Sequence, residues 1–145
     1  MQIAGLTWQV WAFLSAIFAA LTAILAKIGV EEVDPDLATF VRTVVIVVAL
    51  GGLLLVTGQK IGGPISPRSY LFLTLSGLAT GASWLCYFRA LKIGDAARVA
   101  PIDKFSVVLV AIFAVAFLGE KLAIRDLVGI GLITLGSVLV ATSRW

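Results

Sequence analysis

An all-α integral membrane protein, a bundle of five transmembrane helices, is the fold class this sequence predicts, and three observations predict it. Of its 145 residues 61% are hydrophobic and only 13% charged, with a mean hydropathy of +1.11, which leaves too little polar surface for a water-soluble domain of that size. The apolar residues fall into five runs of the roughly 20 residues that a helix needs to cross about 30 Å of hydrocarbon. What remains between the runs is turn chemistry, so the chain reads as one transmembrane domain over residues 1–145. Exposed coil or open strand cannot cross lipid, because each unsatisfied backbone group would be stranded there, so the spans must be helical.

The first span covers about 7–28, interrupted only by Gln9, Ser15, Thr22 and Lys27. Met1–Leu6 carries no charged side chain and lacks the basic start and small-residue cleavage site of a signal peptide, so this run is expected to be retained. Glu31, Glu32, Asp34, Pro35 and Asp36 form an acidic turn, with Asp36 expected to cap the second span, about 37–57, which contains Arg42. Gly58, Gly62, Gly63, Pro64, Ser66 and Pro67, with Lys60 and Arg68, make the longest connection.

The third span is expected over about 70–91 and the fourth over about 96–118, separated by Lys92, Ile93, Gly94 and Asp95. Gly119, Glu120 and Lys121 break the chain before the fifth span, about 126–142, and Arg144 with Trp145 form an interfacial anchor. Lys27 is expected to snorkel to the interface. Short turns make successive spans antiparallel, and an odd number puts the termini on opposite sides.

Charge counting tests orientation. Lys60, Arg68, Lys121 and Arg125 lie on the N-terminal side, and Lys27, Arg89, Lys92, Arg98 and Arg144 on the other, which is no bias. A chain so balanced can insert both ways and pair with an oppositely oriented copy as an antiparallel inverted-repeat dimer; alternatively, one or two loop charges dominate and orientation is fixed. Gly77 and Gly81, and Gly129 and Gly136, offer small-residue faces for close helix packing, within a protomer or between two.

The composition excludes several function classes. Scattered basic residues at span ends are membrane anchors and not a nucleic-acid patch, despite a net charge of +3. Histidine is absent and Cys86 stands alone, so no imidazole chemistry, disulfide or zinc site is expected. No P-loop or hydrolytic constellation is visible, so neither an enzyme nor a bound cofactor or metal is expected.

Ionisable groups within spans are therefore the candidate functional residues, since a charge at mid-bilayer costs at least about 2.5 to 3.5 kcal/mol and is rarely tolerated without a role. Asp103 and Lys104 follow Pro101 in the fourth span, where a missing donor suits a hinge. Being about 100° apart on a helix they need not pair; they face a solute cavity, or they snorkel. Arg42 in the second span is suited to hold a carboxylate or phosphate, or to serve as counter-ion to Asp103. Trp84 and Tyr87, three apart near Arg89, line a pocket wall or belong to an interfacial belt.

The stretch Trp84-Leu-Cys-Tyr-Phe-Arg-Ala-Leu-Lys-Ile-Gly-Asp-Ala-Ala-Arg-Val-Ala-Pro-Ile-Asp-Lys resembles the junction between the third and fourth helices of the EamA family, within the drug/metabolite transporter superfamily. Phe117-Leu-Gly-Glu-Lys-Leu, then Gly129-Ile-Gly-Leu-Ile and Gly136, is similar to that family's Gly-Glu boundary and glycine-bearing last helix. The resemblance covers nearly the whole chain and is to the half-length, five-helix members. Typical members have ten helices in two inverted halves, so the resemblance implies pairing with a second copy or a sister subunit, with membrane lipid as surroundings. It implies a secondary transporter that exports a small metabolite or drug-like solute by alternating access. The rival expectation is a non-transporting assembly or regulatory subunit. A channel is disfavoured, because no ring of like charges or carbonyl-filter motif is visible. Compact loops point to a prokaryotic inner membrane. The family fixes no binding residue that transfers; Asp103, Lys104, Arg42, Trp84 and Tyr87 rest on the residues alone.

Overall fold

A computed structural model describes residues 7–59, 63 and 65–143. Lys60, Gly62, Pro64, Arg144, Trp145 and the Met1–Leu6 segment, all named above, lie outside the described residues. Among the described residues every regular element is helical: α1 Trp8–Gly29, α2 Pro35–Val56, α3 Pro67–Ile93, α4 Ala96–Asp103, α5 Ser106–Phe113, a π-helical turn Ala114–Leu118, and α6 Ile124–Thr142. Five helical spans are long and apolar enough to cross a membrane, the fourth made of α4, α5 and the π turn together.

Span starts follow local capping chemistry. The cap of α2 is Asp34 and not Asp36: Asp34 Oδ1 accepts from the backbone N–H of Asp36 at 2.9 Å and of Leu37 at 3.2 Å. Pro35 explains the shift, because its fixed φ and missing N–H suit the first helical position and so place the cap at Asp34, two residues before the expected one. Ser66 does the same for α3, accepting from Ser69 N–H at 3.1 Å ahead of Pro67, so that helix begins three residues before the expected Tyr70. At α6, Asp126 Oδ2 accepts from Ala123 N–H at 2.8 Å; Ala123 has no side-chain acceptor to reciprocate, so only half of a capping box forms.

The fourth span is where the structure departs most from an unbroken helix. After Pro101 the backbone bonds shorten to the i→i−3 pattern, Lys104 N–H to Pro101 O at 3.1 Å, Phe105 to Ile102 at 3.0 Å and Val107 to Lys104 at 3.0 Å. Pro101 withholds the donor that an α-helix directs at the Ala97 carbonyl upstream, yet the helix continues through it to Asp103, and the tighter turn lies downstream at Lys104 and Phe105. The span ends on Gly119, whose φ of +67° is open to glycine at little cost, with Glu120 N–H reaching back to Ala114 O at 3.2 Å.

Threonine hydroxyls inside the spans bond back to their own helices. Thr39 donates to Pro35 O, Thr43 to Thr39 O, Thr80 to Ser76 O and Thr134 to Ile130 O, all at 2.7 to 2.9 Å. Hydrocarbon offers no alternative partner, so the back-bond is the favoured state of a membrane threonine.

The described chain divides into two compact units. One runs from Ile24 to Ile93 and contains the end of α1 with α2 and α3, which pack antiparallel. Its tightest packing is at the end where α1 stops and α3 stops, with Val30, Phe88 and Leu91 buried. The other holds α1 as far as Ala23 and everything described from Gly94 onward; in it α4 and α5 pack on α6. Within its own unit, a methyl group added at Gly77, Gly81, Gly129 or Gly136 would meet no neighbour within 4 Å.

Candidate functional site

In the unit of α2 and α3, three basic side chains hold one end of the helices together. Arg89 grips Asp36 at two points, Nε to Oδ1 at 3.0 Å and Nη2 to Oδ2 at 2.8 Å, the fork geometry in which guanidinium and carboxylate match. Lys92 Nζ donates to the carbonyls of Val30 at 2.8 Å and Glu31 at 2.5 Å, just past the end of α1. Lys27 answers from α1, donating to Leu91 O in the last turn of α3 at 2.8 Å. The two helix C-termini thus exchange lysines, each ammonium meeting carbonyls that its neighbour cannot satisfy internally and lying at the negative end of its dipole. Lys27 therefore does more than snorkel.

Seven residues further along α2 from its first residue, Arg42 is placed quite differently. Its guanidinium carbon sits 3.2 Å from the centroid of the Trp84 ring and 5.9 Å from that of Phe88. Trp84 in turn packs edge-on to Tyr87, centroids 5.7 Å apart, and tilted against Phe88 at 5.8 Å. The spacing of α3 builds this cluster, since Trp84, Tyr87 and Phe88 are three and four residues apart and share one face. Among the described residues of this unit no carboxylate pairs with Arg42. Its carboxylates are Glu31, Glu32, Asp34 and Asp36, all in the turn or first turn of α2; Asp34 is spent as a cap and Asp36 on Arg89. A desolvated cation over an indole face recovers about 2 kcal/mol, against an insertion cost for arginine of at least about 2.5 to 3.5 kcal/mol. The ring face alone does not balance the charge.

In the other unit Asp103 closes α4 and Lys104 opens the tight turn after it. Lys104 Nζ lies 3.2 Å from Asp103 Oδ2, so these neighbours do pair, the long lysine stem reaching around where the helix breaks. Nearer the start of α4, Arg98 and Asp95 approach to 4.0 Å and border a shallow surface hollow completed by Ala97, Leu139, Val140 and Ser143. Among the described residues no cluster of three potential ligands is placed to hold a metal ion.

The structure thus brings Arg42, Trp84 and Tyr87 together in one unit and Asp103 with Lys104 in the other. Sequence reasoning missed Phe88, buried beneath the same cluster, although its four-residue step from Trp84 was a usable signal. It also missed the Arg89–Asp36 contact, which joins residues 53 apart in sequence and has no local signature.

Against known proteins, residues 6–142 match the EamA-like transporter family. The chain belongs to that family: it is a multi-pass membrane protein of a transporter lineage. A Sinorhizobium protein described as an "Uncharacterized transporter in cobO 3'region" is 57% identical over 136 residues, covering 93% of this chain and 96% of that one. A Clostridium kluyveri "Uncharacterized transporter" is 26% identical over 135 residues, covering 92% of this chain but only 43% of the relative. No solved structure matches.

Proposed function

We propose that the chain is a secondary transporter of a prokaryotic inner membrane, working as an antiparallel pair of copies. The pair exports a small polar or amphipathic metabolite, or a drug-like solute, by alternating access. The observation that carries this reading is Arg42, a permanent charge inside an apolar span with an aromatic ring for company and no carboxylate paired with it among the described residues of its own unit. Intramembrane charges without a structural counter-ion mark solute and ion paths. Family membership supports transport in general.

Pairing is supported by length and by packing. The Sinorhizobium relative is matched over almost all of its length, whereas the Clostridium relative has room for a second unit of the same size. In an antiparallel pair, two such chains supply the inverted repeats that other transporters carry in one chain. The uncrowded glycine faces of α3 and α6 give the second copy somewhere to approach closely. The solute gradient or an exchange of protons supplies the energy, with Asp103 as proton carrier, and the Pro101 break lets α4 and α5 move separately.

A second reading has its own observation. Arg89, Lys92 and Lys27 are spent on tying helix ends together, as they would be in a non-transporting assembly or regulatory subunit.

Counterflow in proteoliposomes separates the two. Purified protein is reconstituted, the vesicles are loaded with one unlabelled solute from a panel of amino acids, monocarboxylates and hydrophobic cations, and entry of the labelled form is followed. Saturable exchange of at least one solute supports transport. No exchange across the panel, with the chain recovered from native membrane in a stable complex with another protein, supports the subunit reading.

A further inference from the structure

We infer that Arg42 with the aromatic face of α3 is a binding site for a singly charged carboxylate carrying an apolar or aromatic body. This rests on the transporter reading and names the class of solute that the site takes. At 3.2 Å from the ring centroid the guanidinium carbon can only approach Trp84 face-on, because an edge-on fork would drive its nitrogens into the ring. Arginine's five N–H donors lie in the guanidinium plane, so stacking leaves them unspent. A planar two-oxygen acceptor fits that fork.

The charge of the ligand follows from what else is nearby. The other basic groups at that end of the unit are committed, Arg89 to Asp36, Lys92 to the carbonyls beyond α1 and Lys27 to Leu91 O. Arg42 presents one positive charge and one planar fork, which suits a monoanion better than a phosphate ester of nearly two charges. Trp84, Tyr87 and Phe88 supply ring surface beside it, so the rest of the ligand gains by being apolar.

The test is binding, so that it does not depend on transport. In full-length protein carrying Trp8→Phe, Trp11→Phe and Trp145→Phe, Trp84 is the remaining tryptophan, and its emission is followed while benzoate or benzyl alcohol is added. Benzoate is expected to change Trp84 emission saturably and benzyl alcohol, the neutral analogue, is not. Arg42→Gln weakens half-saturation by about tenfold or more, the loss expected for a charge-assisted contact. Arg42→Lys restores little, since an ammonium lacks the fork. No saturable response to benzoate, an equal response to benzyl alcohol, or an undiminished response in a folded Arg42→Gln protein would each overturn the site; the first two need no variant of Arg42. Benzoate binding without counterflow of any solute leaves the site standing and removes the transport reading. Counterflow of other solutes with Trp84 silent does the reverse.

Discussion

Arg89 and Asp36 meet at two points, 3.0 and 2.8 Å, and so join the end of α3 to the first turn of α2 across 53 residues of sequence. Asp36 also sits where a helix dipole favours a carboxylate. Arg89→Gln and Asp36→Asn are each expected to lower the thermal unfolding midpoint in detergent by a few degrees. Exchanging the two residues should recover part of the loss and not all, because the arginine would then lie at the positive end of α2. Full recovery would mean that the dipole contributes nothing there.

The exchange of lysines between α1 and α3 makes a prediction for each. Lys92 donates to the carbonyls of Val30 and Glu31 beyond α1, and Lys27 to Leu91 O in the last turn of α3. Lys92→Met and Lys27→Met should each destabilise by about 1 kcal/mol or more, the worth of a charged hydrogen bond near water. Thermal melts followed by circular dichroism would show it, and a melt unchanged by either variant would count against the capping role.

Asp103 is proposed as the proton carrier, and its exchange for Asn separates coupling from binding. Asp103→Asn vesicles should keep solute counterflow within about twofold but lose uphill transport driven by a pH gradient, since the amide still accepts hydrogen bonds but carries no exchangeable acid proton. Retained pH-driven transport in that variant would remove the role.

The glycine faces predict a variant that unpairs copies without unfolding them. Leucine at Gly77 would meet no atom of its own unit near Cβ, so helix content should be unchanged. Chemical crosslinking of the proposed dimer after reconstitution should fall severalfold, because bulk on that face would hold partner backbones apart. Unchanged crosslinking would place the interface elsewhere.

Much of this was legible because bilayer thickness imposes a length on each span, and five apolar runs of that length leave no other fold. Local rules that were overlooked account for the boundary errors. Ser66 before Pro67 and Asp34 before Pro35 are both cap-then-proline starts, one residue pattern that places α2 and α3 correctly. Pro101 reads as a point of weakness in the sequence, but the helix runs through it to Asp103 and the tightened turn falls three residues later, at Lys104. Lys27, Lys92 and the Arg89–Asp36 pair were not legible, because their partners are carbonyls or a carboxylate more than 50 residues away. Composition speaks of a residue's own helix; it is silent on which helix end lies beside it.

In the proposed transporter the two copies are oppositely oriented, and cysteine accessibility reads orientation directly. Single cysteines at Glu32 and Gly63, in the connections at opposite ends of α2, are introduced into a Cys86→Ser protein and probed with an impermeant thiol reagent from each side of the membrane. Each position is expected to label from both sides, in separate populations of molecules. Labelling of Glu32→Cys from one side only and of Gly63→Cys from the other only would contradict it, and would leave the chain with one fixed orientation and no inverted copy of itself.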